Sequence, residues 1–549
     1  MNSMSSIEGG IGTARNPTAA AAKSAIIYLM KGIFSFPAML GTFFVARLSY
    51  ELRNFKVDPD LWWHIRVGQD ITKTLHWPTA DPYSFTVHGT PWMAYEWLGD
   101  VTIGFVAKFG LRALAALLIA LGALICIALY YYASLCARNS KAGFVAGVLV
   151  SVFAVANFNL RPQMFGALFL AITMIALEHF RQGRPRALWI LPPLFLVWVN
   201  THGSWIIGFG AIVITLLGGL FEFQKGGIQG VRWTGTQRRQ LELAILGSLA
   251  VVPLTPYGTK LATYPFFVAS SLPLNVAYVQ EWLPLPFDIS WGKYFLALLA
   301  GTFLLQMVYR FTFRCEQWAL AIGGTAIACM HVRFVMLFAP FFAPVLAGSL
   351  SRWFDRYRPE KDKYVLNFVL MSAAVFALIW YFPSQRELEQ SVEKQFPVRA
   401  VAFLQAHPNP GQIFNTYGAG GYLIRYLPER KVFIDGRGDL YEVEGVLNDY
   451  VQMATLKPAV LSLLDSYRIQ TCLIGRDEAL GRILAERSEW RQVYSDDQHE
   501  IFERNDPKFG ATARCAIPVR RHGPGGAAKR NGAGRRPRNS PHAAGARHQ

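Results

Sequence analysis

Apolar residues run together in blocks of membrane-spanning length, about 17–25 residues, and the blocks recur from residue 25 to residue 383. They lie near 25–47, 112–135, 142–158, 163–180, 187–200 and 204–222, then near 240–255, 293–310, 316–331, 333–350 and 364–383. Each predicts a helix. Together they predict an α-helical polytopic membrane protein with about eleven transmembrane helices. From residue 384 the pattern becomes that of a soluble domain. Gln412-Ile-Phe-Asn415 and Lys431-Val-Phe-Ile-Asp435 read as buried strands, with Gly418-Ala-Gly-Gly421 opening the helix between them. Thr471-Cys-Leu-Ile-Gly475 reads as a further strand, followed by a helix near 478–487 and a final hairpin from Trp490 to Arg504. This is a small α/β unit.

The predicted organisation is therefore an N-terminal segment (1–24), a transmembrane domain (25–383), an α/β domain (384–507) and a basic tail (508–549). The tail is rich in Gly, Pro, Ala and Arg and is expected to be disordered. Met1 to Lys23 is polar and lacks the short apolar core of a secretory signal, so the first apolar block is expected to stay as a helix.

Composition agrees with a membrane protein: 52% of residues are hydrophobic and 16% charged, against about 25% charged in soluble domains. The net charge of +18 does not call for nucleic acid as a partner, because the basic residues gather in short loops and in the tail. Lys23, Arg138 and Lys141, Arg181 to Arg186, Lys225 to Arg239, Arg310 and Arg314, and Arg352 to Lys363 all fall on one side if the helices alternate. By the positive-inside rule that side is cytoplasmic. Two long loops, 48–111 and 256–292, and the α/β domain then face the opposite compartment. This layout places the chain in a membrane that borders the cytoplasm. The stretch from Trp97 to Phe109 is too interrupted to span and reads as an interfacial helix. The six cysteines have neither metal-ligand nor redox spacing.

Ionisable groups at membrane depth are expensive and mark candidate sites. Here they cluster at the outer helix ends: Asp58-Pro-Asp60-Leu-Trp62-Trp63-His64, Asn159-Leu-Arg161-Pro-Gln163, Asn200-Thr-His202 and His331-Val-Arg333. The outer loops add Asp81, Glu96, Asp100, Tyr257 and Glu281. Bland readings exist for each. Asp58 or Asp60 could cap the helix beginning at Leu61, the arginines could snorkel to lipid phosphates, His202 could be a satisfied turn residue, and the tryptophans fit an interfacial belt. Read jointly, a carboxylate suits removal of a proton from an acceptor hydroxyl. Arg161 and Arg333, with His202, His331 or His64, suit a phosphate-linked leaving group. Trp62, Trp63, Glu96, Gln163, Asn200 and Glu281 are candidate acceptor contacts. In the α/β domain Asn415, Asp435, Arg437, Asp439 and Tyr441 are polar enough to join them, and the glycine run at Gly418 could cradle a phosphate at a helix start. The chemistry described is transfer of a sugar from a lipid-phosphate carrier to an extracytoplasmic acceptor, among membrane lipids.

In this layout, and in the strings Asp58-Pro-Asp-Leu-Trp-Trp-His64 and Arg161-Pro-Gln163, the chain resembles the GT-C class of membrane glycosyltransferases, which use polyprenyl-phosphate sugars. The resemblance implies that the first-loop acid, Asp58 first and Asp60 second, is the catalytic base. In the oligosaccharyltransferase branch it would hold a divalent metal instead. Other readings of the same topology are a transporter or flippase for a lipid-linked saccharide, a polymerase or ligase, and a non-enzymatic assembly protein. A transporter places its polar groups near the bilayer midplane, whereas here they sit at the outer ends.

Overall fold

The computed structural model describes residues 30–53, 56–155, 158–271, 273–409 and 411–505. The expected N-terminal segment 1–24 and the tail 508–549 lie outside them.

A helix coincides with every one of the apolar blocks. Those used below are α1 (Phe36–Leu52), α2 (Leu61–Thr74), α3 (Trp97–Val106), α4 (Leu111–Ala137), α5 (Ser140–Val155), α6 (Gln163–Arg181), α7 (Leu191–Thr201), α8 (Trp205–Gly218), α9 (Ser290–Tyr309), α10 (Cys315–Met330), α11 (Val335–Leu350) and α12 (Tyr364–Trp380). Four helical stretches are long and apolar enough to cross a membrane: Leu111–Ala137, Gln163–Arg181, Ser290–Tyr309 and Val332–Trp353. A fifth span results if α12 is joined to Gln385–Glu393, bent from it by 54°. The molecule is an integral membrane protein of several spans. The expected count of about eleven is not reached by this measure among the described residues. Polar turns cut into the blocks: α5, 16 residues long, ends before Asn159-Leu-Arg161, and α8, 14 residues long, begins only after His202-Gly203.

The centre of the bundle is α11, buried along almost its whole length against α4, α5 and α10. It contains Pro340 and Pro344, which remove backbone donors where neighbouring helices compensate. By contrast α9 and α12 turn Phe303, Met307 and Val308, and Val365, Phe376 and Ile379, outward. In water such a surface would be an aggregation liability; against lipid it is the expected face.

From Lys56 onward the first long loop is folded around the pair α2 and α3. A Cβ on Gly68 of α2 would collide with the Asp100 carbonyl of α3, and one on Gly104 would press on Ile65 and Gln69. Glycine at these positions lets the two helices touch backbone to backbone. The Trp97 helix is thereby clamped to α2.

The C-terminal domain carries a four-stranded sheet, β1 (Gln412–Asn415), β2 (Ile469–Gly475), β3 (Trp490–Ser495) and β4 (His499–Arg504), in the order β1-β2-β4-β3. β1 and β2 are parallel and the rest antiparallel, so the final hairpin forms as expected. The expected strand Lys431–Asp435 does not join this sheet. It pairs with external loop one, through Phe85 N–H to Val432 O at 3.1 Å, Val432 N–H to Tyr83 O at 3.1 Å and Thr86 Oγ1 to Phe433 O at 2.7 Å. On its other side the Asn415 amide imitates a neighbouring strand, accepting from Phe433 N–H and donating to Ile434 O, each at 2.8 Å. The loop thus completes the domain.

The glycine run has a packing role rather than a phosphate-cradling one. A Cβ on Gly420 would meet Ile434 O, and one on Gly421 would meet Pro59 O. The helix Tyr417–Tyr426 can therefore lie directly on the Asp58-Pro59-Asp60 segment.

Candidate functional site

Asp58 and Asp60 sit at the start of α2, and neither caps it. The Asp58 carboxylate accepts the Asp60 backbone N–H at 2.9 Å, a two-residue turn that precedes the helix, and Asp60 makes no side-chain capping bond. Both are buried and both are engaged from the turn between α5 and α6. The Arg161 guanidinium pairs closely with Asp60 and lies 3.5 Å from Asp58. Its third partner is Glu281, at 2.9 Å. The other Glu281 oxygen lies 3.3 Å from Arg333, whose guanidinium stacks 4.3 Å over the Trp282 ring. Both arginines therefore point inward, onto one anion-lined patch, rather than out to lipid.

A second set adjoins the first. His202 Nε2 is 3.3 Å from Glu96, while its Nδ1 accepts the Ser204 N–H at 3.1 Å; Nε2 therefore carries the proton and donates. His64 Nε2 lies 3.8 Å from the other Glu96 oxygen, and its Nδ1 is 2.6 Å from Asp100. The second Asp100 oxygen is buried without a hydrogen-bond partner. Asp100, His64, Glu96 and His202 form a continuous chain of proton-carrying groups.

Electrostatics divides these groups by role. Burial pushes the Asp58 carboxyl above its usual range, against the pull of Arg161. Glu281, despite its burial, is held down at about 2 by Arg333 and Arg161 and is firmly ionised. Burial lifts Glu96 to about 8, opposed by His64 and reinforced by Asp100. Burial, with Arg333 and Arg161, depresses His202 to about 3. For His64, burial works against the charged form, yet Asp100 carries its value upward.

At neutral pH Glu96 is thus protonated and His202 neutral. An infrared titration is expected to show a protonated carboxyl band that disappears around pH 8 and is missing in Glu96→Gln; a wild-type spectrum without it would refute the assignment. Because the folded value is raised from 4.5, the stability tied to this proton is complete below about pH 4.5 and is lost as pH rises through about 8.

The α/β domain closes the site. A Cβ on Gly436 would strike the Asp60 carboxylate, and the Tyr417 hydroxyl donates to Gly436 O at 3.1 Å. Asp439 hydrogen-bonds Tyr264, which stacks on Tyr95 at a centroid distance of 4.6 Å. Asn415, Asp435, Arg437 and Tyr441 do not face a substrate. They are fully buried, Arg437 pairing with Asp435 and Asp81 at 2.7 Å each and Tyr441 donating to Asp435 at 2.5 Å.

Other expected contacts are placed differently. Trp62 is only 1% exposed and packs edge-on against Phe396, Tyr422 and Tyr426, so it offers no platform for a sugar. Trp63 is buried and stacks on His64 at 3.7 Å. Asn200 accepts from Trp97 Nε1 at 2.8 Å and donates to Leu196 O and Leu254 O; its amide ties helices together. His331 is bonded through Nδ1 to Trp282 O at 2.6 Å and holds the Glu281 turn rather than an anion. Gln163 opens α6 two residues after Arg161. Asp100 stands among the outer-loop acids in sequence but without a role, although its four-residue spacing from Glu96 puts both on one helix face. Tyr95 and Tyr264 carried no sequence signal at all.

A divalent ion at Asp58 and Asp60 does not fit this arrangement. Arg161 lies against both carboxylates where the ion would sit, and among the described residues no group of three His, Cys, Asp or Glu side chains is placed to hold a metal ion.

No family model and no curated protein matches the chain. Several solved structures align with much of its length. The Archaeoglobus fulgidus oligosaccharyltransferase is 12% identical, with a TM-score of 0.47 over 79% of this chain and 69% of that one. The mycobacterial arabinofuranosyltransferase AftD is 12% identical, with a TM-score of 0.48 over 84% of this chain and 39% of that one. ArnT from Cupriavidus metallidurans, bound to undecaprenyl phosphate, is 14% identical, with a TM-score of 0.44 over 89% and 99%. These are likenesses of overall fold, and the chemistry of the chain has to come from its own side chains.

Proposed function

We propose that the protein is a glycosyltransferase that moves a sugar from a lipid-phosphate donor to an acceptor outside the cytoplasm. The observation that carries this reading is the convergence of Asp58, Asp60, Arg161, Glu281 and Arg333 at one patch, from four separate parts of the sequence. Asp58 takes the proton of the acceptor hydroxyl as its oxygen attacks the sugar's anomeric carbon. The bond from that carbon to the phosphate oxygen breaks, and the lipid phosphate leaves with the electron pair. Charge grows on the leaving phosphate, and two inward guanidiniums with five N–H donors each are suited to receive it. The buried surroundings strengthen both effects. Carbohydrate would lie towards Tyr95, Tyr264 and Asp439, the partly exposed aromatic and acidic surface beside Glu96. The charge asymmetry of the loops supports an extracytoplasmic position for this patch and the α/β domain.

Purified protein is expected to bind undecaprenyl phosphate, and Arg161→Gln and Arg333→Gln each to weaken that binding by at least about tenfold, the loss typical of a charge-assisted contact. A reporter fused after Arg504 should be active only outside the cytoplasm. Undiminished lipid-phosphate binding by both variants would refute the role given to the arginines.

A further inference from the structure

Glu281 lies in a short turn, Gln280–Trp282, of external loop 256–292. The turn is pinned to the Arg333 segment by His331 Nδ1 donating to Trp282 O at 2.6 Å and by Val332 N–H to Leu283 O at 3.0 Å. Its carboxylate divides its two oxygens between two guanidiniums that share no other common partner, Oε2 to Arg161 at 2.9 Å and Oε1 to Arg333 at 3.3 Å. A bridging carboxylate has the charge and the oxygen spacing of one edge of a phosphodiester. The backbone of this turn is held by those two bonds, and the Glu281 side chain remains 28% exposed.

We propose that Glu281 is an internal stand-in for the donor's phosphate, bridging Arg161 and Arg333 until the lipid phosphate displaces it. The inference rests on the lipid-phosphate reading given above. Its physical content is a competition. The donor must break two ion pairs before it makes its own, so its apparent affinity is reduced by the fraction of molecules in which Glu281 has swung clear. In the exchange one anion replaces another, so both guanidiniums stay paired, and Arg161 keeps Asp58 and Asp60 as partners throughout. When Glu281 leaves, neither arginine is stranded: the first is still paired, and the second still lies on Trp282. The residue that looks like an acceptor contact in sequence therefore acts as a determinant of donor affinity. It also keeps adventitious small anions out of the site between turnovers, since a free phosphate lacks the lipid chain that helps the donor displace it.

The test measures undecaprenyl phosphate binding to the full-length protein in detergent or nanodiscs, for wild type, Glu281→Gln and Glu281→Asp. Gln keeps the size and removes the charge. Asp keeps the charge but is one methylene too short to bridge both guanidiniums, which guards against a variant that merely misfolds. Both are expected to bind the lipid phosphate more tightly than wild type, Gln by at least about fivefold. Binding by Glu281→Gln that equals or falls below wild type, in a variant that melts normally, overturns the inference and leaves the lipid-phosphate reading standing. Failure of all three proteins to bind undecaprenyl phosphate removes that reading and this inference together.

Discussion

Replacing Asp58 with Asn is expected to leave a folded, membrane-inserted protein that still binds undecaprenyl phosphate and transfers sugar about 10²–10⁴ times more slowly. The local structure explains why fold and rate should separate. The Asp58 carboxylate accepts Asp60 N–H, which an Asn carbonyl oxygen can accept equally well, and the Asp58 backbone carbonyl accepts Leu61 N–H at 3.1 Å whatever the side chain. The start of α2 is therefore preserved. Arg161 loses its more distant partner, at 3.5 Å, and keeps Asp60 and Glu281. What disappears is the proton acceptor. Burial raises the Asp58 carboxyl against the pull of Arg161, and a base whose value is brought towards the working pH is a better base than one pinned low by an ion pair. Asp60 is the comparison. It is gripped more closely by Arg161 and faced by the Gly436 backbone, which suits a residue that positions the arginine. Near-normal transfer by Asp58→Asn beside a dead Asp60→Asn would move the base to Asp60. Activity in both would leave this loop without a catalytic part.

The apolar blocks could be read from sequence because lipid demands length and continuity, and each of them became a helix. The site could be read in part for a related reason: a charge at a helix end near the membrane is costly, so Asp58, Arg161, His202 and Arg333 stood out and came together. What sequence did not disclose is which charges are spent on one another. Arg437 and Arg161 look alike in the chain, yet one is sealed between Asp81 and Asp435 and the other faces the patch. Trp62 and Asn200 are polar-tipped residues beside a site, but their partners come from the α/β domain and from α3, contacts no local pattern encodes. Lys431–Asp435 has the strand character its sequence predicts, but its partner is a loop segment 347 positions away across the Thr86–Phe433 bond, a pairing no local pattern encodes. Tyr95 and Tyr264 meet only when two external loops fold against each other.

The largest structural effect is expected at Arg437. It is wholly buried, paired with Asp435 from its own turn and with Asp81 from external loop one, and flanked by the Trp92 ring at 4.6 Å. This is the charged centre of the joint between loop and domain, next to the strand pairing of Tyr83–Thr86 with Val432 and Phe433. Replacing it with Met removes the one cation and leaves two carboxylates facing each other without water. Breaking a buried pair in this way costs about 3–5 kcal/mol, whereas ordinary surface changes stay within about 0.5 kcal/mol. Asp81 also accepts from Ser84 N–H and Oγ–H, so the loop should loosen along with the domain. Limited proteolysis is expected to release the region after residue 384 from Arg437→Met under conditions where wild type resists, with a lower melting temperature. A Lys at 437 should rescue only partly, since an ammonium cannot make the parallel bonds of the guanidinium fork. The triple change of Asp81 to Asn, Asp435 to Asn and Arg437 to Met, which removes the stranded charges, should recover more of the loss than Lys does. Because Gly436 against Asp60 is one residue from Arg437, the single Met variant should also lose transfer activity, and the triple variant should regain it in step with stability. An Arg437→Met protein with unchanged melting and unchanged proteolysis would show that this ion cluster does not hold the domain over the site.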